Sequence, residues 1–268
     1  MRIGNSLTVV AAAILISASA ANAATRVLYD QDFENPAGFV NNGGDVNIGR
    51  TVNTLYGGQP AGFSFAQAFT VETLNITGSN RATGGAAFGT GYTDPSGKAG
   101  NFLIGMLSNR QNDLLGLSFN VGGFPFFNLG VDITSIDLST FGGPFVPRGT
   151  AGIPTFQFTL FDNPSGAVTT GSGTILDQKT LTGTESPKTV VDFTSEVIAL
   201  STLGNTNGNV TLQIDLLPGS GYAGFDNMVI AVSNDSGVIP LPAAVWMFLS
   251  AIGGLGCLAG WRRRRATA

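Results

Sequence analysis

The chain has 268 residues, 43% of them hydrophobic and 11% charged, with one cysteine and no histidine. All seventeen acidic residues lie between Asp30 and Asp235, and five of the thirteen cations (Arg2, Arg262, Arg263, Arg264 and Arg265) sit at the ends; eight cations against seventeen acids therefore leave the middle at −9, against −4 for the whole chain. So acidic a body argues against nucleic-acid binding, and without histidine or cysteine in it no Ser-His-Asp or Cys-His arrangement can form.

In chain order, Arg2 precedes a ten-residue apolar run over 7–16, and Ala21 and Ala23 follow in an A-x-A arrangement. Positive start, short apolar core and small-residue cleavage site describe a secretory signal peptide over 1–23, too short to span a bilayer. The Sec translocon and a signal peptidase are the partners it implies. The mature chain would begin near Ala24. The single cysteine, Cys257, lies in the tail, so the exported body (24–237) holds no disulfide, and its roughly 214 residues are enough for one core.

That body is rich in Gly, Thr, Asn, Ser and Phe, a composition of strands and turns. Period-two alternation runs through Leu115/Leu117/Phe119/Val121, Phe156/Phe158/Leu160 and Val210/Leu212/Ile214/Leu216. Further strands are expected over 27–33, 67–76, 131–138, 189–193 and 225–232. Turn signals separate them, such as Asn42-Gly43-Gly44, Asp94-Pro95-Ser96-Gly97 and Pro218-Gly219. About ten short strands with no long helical period predict an all-β fold, an antiparallel β-sandwich of jelly-roll-like kind. The glycine-rich stretch 82–100 lacks the GK[ST] of a phosphate loop and reads as a surface loop.

Two acidic features stand out. Asp30, Asp32 and Glu34 would share one face of the first strand, while Gly224-Phe225-Asp226-Asn227 opens the last. A third feature is aromatic: Phe124, Phe126 and Phe127, with Phe141 and Phe145, could form core or a hydrophobic binding edge. No tryptophan is available as a sugar platform, since Trp246 and Trp261 belong to the tail.

In the tail, residues 243–261 carry no charge and would extend about 28 Å as a helix, close to bilayer thickness. Trp246 and Trp261 lie toward its ends and four arginines follow at once, as in a single transmembrane helix with a cytoplasmic stop. Before it, Val238, Pro240, Leu241, Pro242, Ala243 and Ala244 form an extended Pro-x-Pro segment at the membrane face.

Motif (238–244), helix (243–261) and arginine cluster (262–265), in that order, resemble the PEP-CTERM sorting signal in its VPLPA variant. Ile239 is inserted after Val238, and Leu241 replaces the Glu of the Pro-Glu-Pro form. The resemblance covers about 238–265 of the tail (238–268) and implies an exosortase-type processing enzyme. It also implies a Gram-negative, exopolysaccharide-producing setting and a protein held at the inner membrane with its body in the periplasm, then passed to the envelope, cell surface or outside.

An early Phe-Glu with a late Phe-Asp-Asn looks similar to the framework of jelly-roll carbohydrate-binding-like domains. That likeness implies a structural Ca²⁺ on Glu34 and Asp226, with Asp32 beside them; hard oxygen donors suit the ion. The leading expectation is a non-enzymatic surface or matrix protein associated with exopolysaccharide and biofilm. Two alternatives stay open: a glycan-binding module, and a carboxylate-only glycoside hydrolase or lyase, which would need two facing carboxylates.

Overall fold

In the computed structural model, residues 25–39, 51–68, 71–76, 93–107, 113–136, 152–187 and 190–240 are described. The expected signal peptide, and everything from Leu241 through the apolar segment to the arginines, lie outside them. Among the described residues no helix is long and apolar enough to cross a membrane.

Among the described residues, eleven strands form two antiparallel sheets, joined by one short helix. The first sheet joins β3 (Val71–Asn75), β4 (Phe102–Leu107), β11 (Tyr222–Ser233), β6 (Phe126–Ser135) and β9 (Thr194–Ser201), with β1 (Thr25–Gln31) also on β11. The second orders β2 (Ala66–Ala68), β5 (Leu114–Asn120), β10 (Asn209–Leu216), β7 (Thr155–Asp162) and β8 (Ile175–Thr182). The all-β antiparallel sandwich expected from the sequence is what forms.

Its core follows from the alternation. Leu115, Leu117 and Phe119 on β5, Phe156, Phe158 and Leu160 on β7, and Val210, Leu212 and Ile214 on β10 point inward, all buried. They meet Phe127, Leu129, Val131 and Ile133 of β6 and Phe225, Met228 and Ile230 of β11. Interdigitating inner faces of this kind make a sandwich core about 10 Å thick. Phe225 sits edge-on to both Phe33 and Phe156, with centroids 5.9 and 6.0 Å apart.

Four expected elements differ. Residues 67–76 are not one strand: β2 pairs with β5 in one sheet and β3 with β4 in the other. β6 begins at Phe126, five residues before the expected start. Past Thr189, which is outside the described residues, the segment expected as a strand makes only an isolated parallel bridge, Val190 with Thr93. Its Val191 and Phe193 instead join Leu74, Leu103 and Tyr222 in a smaller apolar cluster on the outer face of β3, β4 and β11. Finally, residues 225–227 lie inside β11, which starts at Tyr222, and do not open it.

The helix α1 (Val52–Tyr56) anchors the chain just past β1. Thr51 caps it by accepting a hydrogen bond from the Thr54 N–H at 3.2 Å, and the helix buries Val52, Leu55 and Tyr56. The Tyr56 hydroxyl donates to the Phe33 carbonyl at 2.7 Å, and the two rings meet edge-on at 5.2 Å.

Candidate functional site

The acidic site arises where the central strand β11 changes partners. Along one side of β11, Tyr222 to Phe225 pair with β4 and Met228 to Ser233 pair with β1. Between the two partners lies a gap opposite Asp226 and Asn227. Here β11 also breaks register with β6 in a bulge, and Asn227 takes a φ of 49°, a left-handed conformation that Asn tolerates well.

The end of β1 fills this gap. Phe33 is fully buried against Tyr56 and Phe225 and held at a φ of 53°, a conformation that costs a bulky residue about 1–2 kcal/mol. That kink ends the strand alternation at Gln31. Asp30, expected on one face with Asp32 and Glu34, therefore stays exposed on β1 opposite Val229, while the other two enter the turn. Asp32 accepts from the Glu34 N–H at 3.1 Å. The Glu34 carboxylate reaches the start of β4, accepting from the Asn101 N–H and side-chain amide and from the Phe102 N–H at 2.8–3.0 Å. Gly100, at a φ of 51°, makes this approach possible, because a Cβ there would collide with the Glu34 carboxylate.

Asp226 lies at the centre. Only 1% of it is exposed; Oδ1 accepts from the Asn227 N–H at 2.8 Å, and Oδ2 is buried with no hydrogen-bond partner. Burial pushes its carboxyl up to about 9; the Asn227 N–H opposes this, and the charges of Glu34, Asp132 and Asp32 add to it. Asp132 is its cross-strand partner on β6 and accepts from the Asn227 amide at 3.0 Å. Lys98 sits 3.7 Å from Asp132 and also donates to Ser195.

A cation beside the orphaned Asp226 oxygen would offset the charge of the carboxylates around it, and hard oxygen donors are the kind Ca²⁺ takes. Among the described residues, no three acidic groups converge closely enough to form a ligand set by side chains alone. An ion beside Asp226 would therefore draw main-chain carbonyl and water oxygens as well, as Ca²⁺ sites commonly do.

A second region lies on the outer face of β10, β7 and β8. Strand register places Gln213, Thr159 and Gln178 in one cross-strand row, Asp215, Gln157 and Thr180 in the next, and Thr211 beside Phe161 in a third. The Gln178 amide donates to the Thr159 hydroxyl at 2.8 Å. Burial lifts Asp215 to about 6. Phe161 is half-buried but outside the core cluster. The loop after β7 folds over one side of this face: a Cβ on Gly171 would lie 2.6 Å from the Phe161 ring and 3.0 Å from Gln213 Oε1. The result is a shelf with an amide-and-hydroxyl floor and a phenyl ring against its wall. Sequence reasoning missed Phe161, whose only signal was its outward parity between Leu160 and Asp162.

The aromatic run divides. Phe127 is core, and Phe124 packs on the core's edge with the Arg26 guanidinium 5.8 Å from its ring centroid. Phe126 borders a surface groove of about 440 Å³ with Pro125 and the exposed Leu203. Phe141, Phe145, Ala21 and Ala23 lie outside the described residues. Of the sorting motif, Val238 and Pro240 are described, whereas Leu241, Pro242, Ala243, Ala244, Arg262, Arg263, Arg264 and Arg265 are not.

Neither a family model nor a curated protein matches the sequence. Solved structures with a similar course of chain include the CBM22-1 xylan-binding domain from Paenibacillus barcinonensis (9% identity, 80% of this chain, 98% of that one, TM-score 0.39). A xylan-binding domain of carbohydrate-binding module family 22 is similar at 13% identity, 79% and 96% coverage and a TM-score of 0.38. So is the K3 adhesin domain of Lys-gingipain from Porphyromonas gingivalis, at 11%, 78%, 99% and 0.35. At such identities and scores neither ligand nor activity carries over, and fold alone does not assign function.

Proposed function

We propose that this chain is a non-catalytic, polysaccharide-binding β-sandwich, braced by Ca²⁺ and exported to the cell envelope or surface. The observation that carries the binding reading is the shelf on β10, β7 and β8. Glutamine amides both donate and accept, as sugar hydroxyls do. A phenyl face offers apolar contact to the C–H side of a pyranose ring. A solvated sheet face with no binding task is commonly laced with Lys and Glu; this one presents Gln213, Gln157, Gln178 and Thr180 around Phe161, with Thr159 buried beneath them. Its three rows carry one carboxylate, Asp215, where carboxylate hydrolysis takes a pair about 5–10 Å apart. That supports binding without cleavage.

Ca²⁺ would supply positive charge to Asp226, Glu34 and Asp132 and brace the point where β1, β4 and β11 meet. The N-terminal signal-peptide pattern supports Sec export, and the tail supports sorting by an exosortase-type enzyme. Fractionation with intact-mass analysis of the mature protein tests that part: a tail retained whole in the inner membrane would overturn it. Retention on beads bearing xylan, β-glucan, β-galactan or the producing cell's own exopolysaccharide tests the binding reading. Loss of retention in Phe161→Ala and Gln213→Ala is the expected result, and no retention of the native protein on any bead would overturn it.

A further inference from the structure

The groove between β6, β9 and β11 on the outer face of the first sheet is already occupied. Gly130 of β6 lies between Val229 of β11 and Val197 of β9 in register. With no side chain there, the sheet has a notch, and Ile239 fills it: a Cβ on Gly130 would lie 2.8 Å from Ile239 Cδ1 and 3.9 Å from Val197 Cγ2. A recess of about 290 Å³ continues from Ile239 to Asp132 and Asn227.

A second, independent set of contacts fastens the same segment. Asn128 on β6 is fully buried, and both ends of its amide serve the chain beyond β11. Its Nδ2 donates to Ser233 Oγ at 2.8 Å and to the Asp235 carbonyl at 3.5 Å. Its Oδ1 accepts from the Gly237 N–H at 2.7 Å. Ser233 Oγ also donates to the Asp235 carbonyl. A buried amide with its donor and acceptor both satisfied holds its partners firmly, since releasing them would leave polar atoms unpaired. Gly237, at a φ of 75°, makes the turn that lays the next residues on the sheet.

We infer that this notch is a seat for the chain's own segment at Val238, Ile239 and Pro240, and that the body holds the first half of the sorting motif against its surface. Ile239 is the residue by which the motif departs from the plain VPLPA order, and the insertion supplies the side chain that docks. A processing enzyme that binds the motif in extended form would have to lift Ile239 from the seat first, so docking shields the motif on the folded body. This consequence rests on the proposed sorting of the tail; the seat itself rests on Gly130, Val197, Val229 and Asn128.

The test uses the full chain in detergent micelles with a protease of broad specificity, following cleavage within 234–242 by intact mass. Gly130→Val fills the notch on a strand that favours Val, and Ile239→Ser removes the docking side chain from a residue outside every strand. Each variant is expected to accelerate cleavage tenfold or more over the native chain while the body melts within about 2 °C of it. Equal cleavage rates in the native chain and both variants, or a native rate matching that of a free peptide of the same sequence, would overturn the seat. Because no processing enzyme takes part, a failed seat and a failed sorting signal give different results: the first shows in this protease assay, the second as an unprocessed tail in cells.

Discussion

The carboxylate of Glu34 accepts hydrogen bonds from both the main-chain N–H and the side-chain amide of Asn101, at 2.8–2.9 Å, across 67 residues of sequence. The contact closes the gap between the end of β1 and the start of β4, and only a residue without a Cβ at position 100 leaves room for it. Gly100→Ala therefore displaces Glu34 and also strains a left-handed backbone, at a cost of roughly 1–2 kcal/mol for the strain alone. The expected outcome is a melting temperature lowered by about 2–8 °C at this chain length, together with loss of any Ca²⁺ response, read by thermal melting with and without the ion.

Ca²⁺ itself should raise the melting temperature. With free ion a hundredfold above its dissociation constant the gain is about 2.7 kcal/mol, or about 5–10 °C for a body of this size. In Asp226→Asn the rise should vanish. The same variant should melt no lower than the native protein in the absence of cation above pH 7, because it removes a carboxyl that burial holds far above its ordinary range. An intact Ca²⁺ response in Asp226→Asn would remove Asp226 from the site.

Acid should stabilise the cation-free body. Asp226 is raised to about 9, with burial the main cause, and Glu72 to about 7 and Asp215 to about 6 by burial likewise. Between the ordinary carboxylate range and these values the folded chain binds more protons than the unfolded one, so stability falls as pH rises. Melting temperature without divalent ions should decline from pH 5 to pH 9. Millimolar Ca²⁺ should flatten the part of the decline above pH 7, where Asp226 is the group still releasing its proton and the ion takes that proton's place.

Phe225 ties the site to the core, since its ring meets Phe33 from the acidic turn and Phe156 from the opposite sheet. Phe225→Ala should cost about 3–5 kcal/mol through the cavity it leaves, measured by chemical denaturation. It should also weaken Ca²⁺ binding, because Phe33 loses the ring that helps hold its unusual backbone.

How legible the fold was depends on how each strand is covered. The rows Leu115/Leu117/Phe119 and Val210/Leu212/Ile214 alternate cleanly because one face meets the core and the other does not. β4 hid its period because both faces are covered: Ile104 and Met106 enter the main core, and Leu103 enters the outer cluster. β8 hid for the opposite reason. It is an edge strand whose Gln178, Lys179 and Thr180 are all exposed, so no apolar row marks it. At the acidic site, the resemblance to jelly-roll carbohydrate-binding-like domains implied Glu34 and Asp226 with Asp32, but two left-handed residues, Phe33 and Asn227, set their arrangement. No periodicity reveals these, and Asp132 joins only through strand register. The shelf around Phe161 was equally hidden, since it depends on which strands become neighbours.

Under the proposed function, the outer face of β10, β7 and β8 binds polysaccharide without cutting it. Affinity electrophoresis of the native protein, Phe161→Ala and Gln213→Ala, in gels containing xylan, β-glucan, β-galactan or the producing cell's own exopolysaccharide, tests it most directly. At least one glycan should retard the native protein, both variants should run unretarded, and the glycan should keep its length after incubation. Equal mobility of all three proteins in every gel, or shortening of the glycan by the native protein, would contradict it.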